Sequence, residues 1–211
     1  MSSIIGSLEW RYAVKKFDAS KSVSNENVEK LKQAFNLTAT SYGLQPIKMV
    51  VVNNKELQEK LVLQSFNQLQ VGQASHVLVL CVEKSVMKDS INAYFNSVQT
   101  IRGTSNEIIE PYRKMMLGSF VSKTEEDIFI WSKHQAYIAL GNLMTVCAVE
   151  KIDSCPMEGF VPQGYKDVLG LEALNLEPVL VLPIGIRAED DMFADFKKVR
   201  KEVSESVIVI E

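Results

Sequence analysis

The sequence predicts an α+β fold in one domain, with about five strands and six or more helices. Two kinds of segment lead there. Runs such as "IKMVVVN", "HVLVLCV" and "EPVLVLPIGI" have the length and composition of strands. Around them lie stretches whose apolar residues recur at helical spacing. No internal repeat, low-complexity tract or linker divides the chain, and 211 residues suit one substantial core better than two.

Taken in order, residues 3–10 read as a short helix leading into the basic stretch "RYAVKKFD". In "SNENVEKLKQAFNLT", Val28, Leu31, Ala34 and Phe35 recur at helical spacing behind Ser24, a residue type suited to N-capping. Pro46 breaks any incoming helix before the strand "IKMVVVN". A helix follows from about Lys55 to Phe66, and "HVLVLCV" is then apolar throughout, as a central strand covered on both faces should be. From Val86 to roughly Glu150 the pattern is helical, with breaks expected near Gly103 and Gly118. Its last part, "EEDIFIWSKHQAYIALGNLMTVCAVE", is apolar nearly all round and predicts a buried central helix. Glu125, Glu126 and Asp127 behind Thr124 favour a helix N-terminus there. "KIDSCPMEGF" reads as a short strand and a loop, "YKDVLGL" as a short helix, and "EPVLVLPIGI" and "SVIVIE" as strands. The last of these would be a sticky edge if left exposed, so it must pair in its own sheet or in a partner's.

Composition narrows the function classes. Hydrophobic content of 46% with 23% charge describes a soluble globular protein, and a net charge of -3 argues against general nucleic-acid binding. No window approaches ~18 consecutive apolar residues, so no membrane span is expected. The start, "MSSIIGSLEW", has neither a basic n-region nor an adequate apolar h-region. Cys81, Cys147 and Cys155 are widely spaced with no C-x-x-C pair and read as buried small hydrophobes in a reducing compartment. His76 and His134 lie far apart, and no metal site is expected; His76 reads as a structural histidine at a strand start. These features predict a cytoplasmic protein.

Among the catalytic signatures, a P-loop, a G-x-G-x-x-G after a strand, a G-x-S-x-G elbow and H-E-x-x-H are all missing from the sequence. What remains is a set of small clusters: "RYAVKKFD" (11–18), "TSYGLQP" (40–46), "FNQ" (66–68), "CPMEGF" (155–160) and "KKVRK" (197–201). Singly, each has an ordinary reading as a solvated face, a turn or a loop.

In this order and spacing the clusters resemble the FMN-dependent nitroreductase family, from Trp10 to Arg200 and more weakly between about 84 and 125. "RYAVKKF" occupies the place of the family's R-[RH]-S-x-[KR]-x-[FY]. Ser41 to Pro46 matches its S-x-x-x-Q-P, "PMEGF" its P-x-E-G-F, and Lys198 with Arg200 its late K-x-R. The resemblance implies a nitroreductase-like fold, with a central, mostly antiparallel five-stranded sheet flanked by helices and a C-terminal strand exchanged between subunits of a homodimer. It implies FMN as cofactor and NADH or NADPH as electron donor. The reaction would be ping-pong hydride transfer to nitroaromatic, quinone or related acceptors.

The residue roles follow from the same resemblance. Arg11, Lys198 and Arg200 would hold the FMN phosphate, and Lys15 would reach the pyrimidine edge near N1 and O2. Tyr12 and Ala13 fall on the same motif, while Lys16 matches no ligand position. Asn67 would face the N3/O4 edge. Pro156 and Met157 would pack on one ring face, with the main-chain N–H groups of Glu158 and Gly159 toward N5 and O4. Lys15 and Glu158 would therefore be the catalytic contacts. Thr40, Ser41, Tyr42 and Gln45 would line the site from the other subunit.

Some positions depart from the family. Ala13 replaces a small hydroxyl residue, Tyr12 stands where Arg or His is usual, and Gln70 falls where relatives often carry Lys over the ring edge. The place of an aromatic gate falls near Met116 or Leu117. These departures bear on the acceptor more than on FMN. Two other classes are compatible with the clusters, a non-catalytic flavoprotein that stores or senses FMN and a fold relative with other flavin chemistry. Very slow reduction by either nicotinamide would mark the first. The second usually carries a lid dedicated to its substrate.

Overall fold

The computed structural model describes residues 3–83 and 88–211. Four strands form one antiparallel sheet in the order β1-β2-β4-β3. They are β1 (Ile47–Val52), β2 (His76–Glu83), β3 (Asp153–Ser154) and β4 (Leu176–Gly185). Ile47 lies opposite Val82 and Val52 opposite Val77, while His76 faces Ile184 across the next ladder. A bulge interrupts that second ladder between Leu80 and Cys81.

The two faces of β2 feed two cores, which is why its sequence is apolar without alternation. Leu78, Leu80 and Val82 pack with Leu180, Leu182 and Ile184 against α2 (Asn25–Asn36) and α7 (Glu125–Val149). Val77, Val79 and Cys81 pack on the other face with Leu61 of α3 (Lys55–Leu63), Val71 of α4 (Gln70–Gln73) and Tyr165 of α8 (Pro162–Leu169). Val14 and Phe17 of the basic stretch join this second core. The small residues Ala136 and Ala139 on α7 are fully buried, so this helix approaches the sheet closely.

Capping follows the local sequence. The Ser24 hydroxyl accepts from the Asn27 N–H at 3.3 Å, and Thr124 and Asp127 form a reciprocal capping box. The expected helix at residues 3–10 is α1 (Ile4–Trp10). Between Glu83 and α7 lie α5 (Lys88–Arg102) and α6 (Asn106–Val121), which share a core of their own around Ile91, Phe95, Ile109, Met116 and Phe120. A four-residue helix, α9 (Val203–Ser206), precedes the C-terminal residues.

Three sequence expectations are corrected. The sheet has four strands, not five, because residues 207–211 have no ladder partner among the described residues and are exposed. Gly118 does not break its helix: a glycine costs about 1 kcal/mol there, and burial of Met116 and Phe120 on the same helix outweighs it. The break falls at Ser122–Thr124 instead, while the one expected at Gly103, with φ of +65°, is present. Helix α3 ends at Leu63 rather than Phe66 because Phe66 and Asn67 take left-handed φ values of 53° and 58°. The start of the expected helical excursion, at 84–87, lies outside the described residues.

Candidate functional site

Residues 11–18 run as an extended segment beside the sheet. Val14 N–H donates to the Ser154 carbonyl at 3.3 Å, Asp18 N–H to Ile186 at 2.8 Å, and Ala188 N–H returns to Lys16 at 2.9 Å. Phe17 is buried over Gly185, where a Cβ would come within 2.7 Å of its ring, so that glycine admits the aromatic anchor. With Val14 and Phe17 turned inward, Lys15 and Lys16 remain exposed.

The outer side of this segment borders a cleft of about 410 Å³, lined by Glu9, Trp10, Arg11, Tyr12, Ala13 and Lys15 from the N-terminus and by Phe193, Ala194, Phe196, Lys197, Lys198 and Arg200 from the C-terminal segment, so that cations outnumber the single carboxylate. The Lys198 ammonium donates to the Arg11 main-chain carbonyl. Burial, then the Arg200 charge, lowers the affinity of the Arg11 guanidinium for its proton. Lys198 is lowered as well, by burial and then by Arg11 and Arg200. Arg11 Nε is buried without a hydrogen-bond partner. Among the described residues no carboxylate forms an ion pair with Arg11, Lys15, Lys198 or Arg200. Cations gathered this way, without ion-pair partners and repelling one another, are suited to an anion.

From the cleft, Lys15 leads to the "PMEGF" loop. Its Nζ lies 3.6 Å from Cys155 Sγ, next to Pro156. Met157 pairs with Val181 through main-chain bonds of 2.8 and 3.0 Å, and its side chain is buried in the core. Pro156, half-buried, is the more accessible apolar surface of the two. Gln70 is buried and reaches Gln68 Oε1 at 2.9 Å and Met157 Sδ at 3.9 Å. Gln68 donates to the Gly159 carbonyl at 2.9 Å, and the Phe66 ring lies beside Gly159, so the exposed Asn67 borders the same loop. The Glu158 carboxylate accepts from Tyr137 of α7 at 2.6 Å. Among the described residues, the main-chain N–H groups of Glu158 and Gly159 donate to no other group.

Thr40, Ser41, Tyr42 and Gln45 form a separate group, and none of them lines the cationic cleft. Ser41 N–H donates to Gln135 at 2.8 Å, and Gln45 N–H to the Thr40 hydroxyl at 3.2 Å. The Tyr42 ring packs near Phe120 and Trp131, at 6.2 and 6.3 Å between centroids. Tyr42 and Gln45 take positive φ, 60° and 46°, uncommon for such residues and a form of stored strain. Met116 is buried at the place of the expected gate, in a cluster whose aromatic members are Tyr94, Phe95, Phe120 and Trp131. Lys16, given no ligand role, pairs with Asp190.

Sequence reasoning missed Arg187, Asp153 and Asp191. The Arg187 guanidinium stacks 4.5 Å from the Trp10 ring and 4.6 Å from Tyr12, while its Nε donates to Asp153 at 2.8 Å. Asp191 accepts from the Tyr12 hydroxyl at 2.8 Å, from Lys15 N–H at 3.0 Å, from Lys16 N–H at 3.4 Å and from Phe193 N–H at 3.2 Å. Nothing local in "IRAEDDMF" distinguishes Asp191 from the acids beside it; its role arises from contacts 176 positions away. All three cysteines are free and buried. Among the described residues no cluster of His, Cys, Asp and Glu could hold a metal ion, and no helix is long and apolar enough to cross a membrane.

Comparison with known proteins bears on the fold and the family. A Staphylococcus epidermidis protein, provisionally named an NAD(P)H nitroreductase, is 33% identical over 196 residues, 89% of this chain and 89% of its own. A Staphylococcus haemolyticus protein of the same provisional name is 30% identical over 89% of this chain and 90% of its own. Two solved structures share the fold. A Bacillus subtilis protein provisionally described as a nitroreductase superposes with a TM-score of 0.87 at 19% identity, covering 98% of both chains. An Exiguobacterium sibiricum protein, also provisionally described as a nitroreductase and crystallised with FMN, gives 0.86 at 18% identity over 100% of this chain and 98% of its own. The profile of the nitroreductase family matches residues 8–186, and the chain belongs to that family.

Proposed function

We propose that the chain is an FMN-dependent NAD(P)H oxidoreductase that passes hydride by a ping-pong mechanism to nitroaromatic, quinone or related acceptors. One observation carries the reading: the unpaired cations Arg11, Lys198 and Arg200 meet in one cleft, continuous through Lys15 with the "PMEGF" loop. The residues fit the cofactor. Three cations and the orphaned Arg11 Nε suit a phosphate dianion. The unspent N–H groups of Glu158 and Gly159 suit acceptor atoms on a ring edge. When bound, FMN supplies the two-electron relay between nicotinamide and acceptor. Lys15 places a positive charge where the pyrimidine edge gains electron density, Asn67 offers its amide at that edge, and Pro156 shields one ring face.

The same reading makes the protein a homodimer. Thr40 to Gln45 lie away from the cationic cleft, so their contribution to a site calls for a second copy. The outer edge of β1 has no partner strand among the described residues, and a cleft of about 350 Å³ lies beside it, lined by Phe35 and Met49. The exposed terminal residues Val207 to Ile210 are suited to fill that edge in a partner. Three unpaired, buried cysteines suit the cytoplasm.

The experiment is direct. Purified protein should be yellow, release FMN on denaturation, and be reduced by NADH or NADPH in stopped flow, then reoxidised by members of a panel of nitro compounds, quinones, pteridines and enoyl compounds. Recovery of FAD, or of no flavin after reconstitution, overturns the reading. Bound FMN that neither nicotinamide reduces at a useful rate would favour a storage role.

A further inference from the structure

Asp191 is a buried carboxylate whose hydrogen-bond partners are all uncharged groups. Its donors are one phenol and three main-chain N–H groups, from Tyr12, Lys15, Lys16 and Phe193. A buried anion without a cation is costly unless its lone pairs are filled, and here four donors fill them. Burial pushes its pKa up, but bonds from Tyr12, Lys15, Phe193 and Lys16 outweigh this and hold it below the ordinary carboxylate value. The carboxylate therefore stays ionised near neutrality. Its donors come from both walls of the cleft, the N-terminal segment and the segment from Phe193 onward.

The Tyr12 ring is fixed in turn. Arg187 covers it at 4.6 Å and is itself held by Asp153, at the junction of β3 and β4. Lys15 is thus constrained at two points, its main chain at Asp191 and its ammonium beside Cys155. Tyr12, which stands where Arg or His is usual in the family, serves this anchor.

We infer that Asp191 is a positioning residue for Lys15, holding its main chain so that the ammonium is presented to the cleft where the cofactor's ring edge would lie; the inference rests on the flavin reading above. Two effects of the carboxylate oppose each other in sign. As a bare negative charge near the cofactor, Asp191 would lower the flavin midpoint potential, so removing it would raise the potential. As the anchor of Lys15 it acts the other way. In Asp191→Asn the amide turns an N–H₂ toward one of the four donors, the Lys15 main chain shifts, and the potential falls.

The test is redox titration of flavin-loaded wild type, Asp191→Asn, Lys15→Met and the double variant, with flavin affinity and thermal melting measured beside it. The expected result is a lower potential in Asp191→Asn and no further fall when it is added to Lys15→Met. A rise in potential, falls that add in the double variant, or weakened flavin binding and melting with an unchanged potential overturns the inference. If Asp191→Asn does not fold, Tyr12→Phe removes one donor only. A smaller fall that vanishes in the Lys15→Met background supports the anchor, and an unchanged potential sinks it. A wild-type protein that takes up no flavin sinks the flavin reading and this inference together, whereas a loaded wild type whose potential ignores Asp191 sinks the inference alone.

Discussion

Lys198 donates from its ammonium to the main-chain carbonyl of Arg11, across 187 positions of sequence. The bond closes the cleft by joining the two segments that carry its cations. It also crowds like charges, so binding an anion there relieves repulsion as well as forming contacts.

The first prediction follows from that crowding. Arg200→Ala and Lys198→Met should each weaken FMN binding by about tenfold or more, since a charge-assisted hydrogen bond contributes about 1.5–3 kcal/mol. The loss should shrink as salt rises, because these side chains are exposed. The midpoint potential should change little, the phosphate being remote from the electron-accepting ring. Fluorescence titration of FMN at two ionic strengths checks both parts. Equal affinity in wild type and Arg200→Ala would place the phosphate elsewhere.

Lys15 should behave in the opposite way. A fixed ammonium beside the ring favours the electron-rich form of the cofactor, so Lys15→Met should lower the midpoint potential by tens of millivolts, on the order of 1–4 kcal/mol at an effective dielectric of about 20. Reduction by nicotinamide should slow, while FMN stays bound through Arg11, Lys198 and Arg200. Redox titration with a flavin-occupancy measurement separates this outcome from simple loss of cofactor.

A third prediction concerns alkaline pH. Burial pushes the Cys81 and Cys147 thiols up to about 12 and also raises Cys155, although Lys15 pulls the last back. Burial likewise raises Tyr165 to about 12, against a hydrogen bond with Ser65. Groups raised in the folded state lose protons more readily when unfolded. Their stabilisation is therefore complete below the unfolded thiol pKa and is lost as pH climbs from there toward 12. Stability to urea should be flat near pH 8 and fall steadily above pH 9. At pH 8 the native thiols should resist alkylation and react only after unfolding. Rapid labelling of folded protein would contradict the burial.

Sequence reached the fold class and the cationic cluster because both are written in local pattern: apolar runs for strands, and short motifs that keep their residue types. It missed what depends on distant contacts. Asp191, Arg187 and Asp153 are ordinary loop or strand-end residues until the chain closes on Tyr12 and Trp10. The left-handed conformations of Tyr42, Gln45, Phe66 and Asn67 were equally hidden, since such residues are held there by surroundings and not by propensity. Gly118 misled for the converse reason, a local breaker overruled by the packing of Met116 and Phe120. The terminal segment is legible as sticky apolar sequence that must pair somewhere, while local pattern does not say with what, and it joins no ladder among the described residues.

That terminal segment carries the last prediction. Ile208 and Ile210 are 87% and 92% exposed, an arrangement that favours association in water. The free edge of β1 offers unpaired main-chain groups and apolar neighbours in Met49 and Phe35. If a second copy receives the tail there, deleting residues 204–211 removes strand pairing and apolar burial together, and the dimer should dissociate at concentrations where the full chain stays paired. Flavin occupancy should drop with it if Thr40 to Gln45, which do not line their own chain's cationic cleft, complete the site of a second copy. Ile208→Asp with Ile210→Asp should act in the same direction without shortening the chain. Sedimentation across a concentration series, read with flavin absorbance, follows both quantities. A truncated chain that sediments as a monomer, yet keeps its FMN and full activity, would show that one copy builds the whole site and that the tail has another purpose.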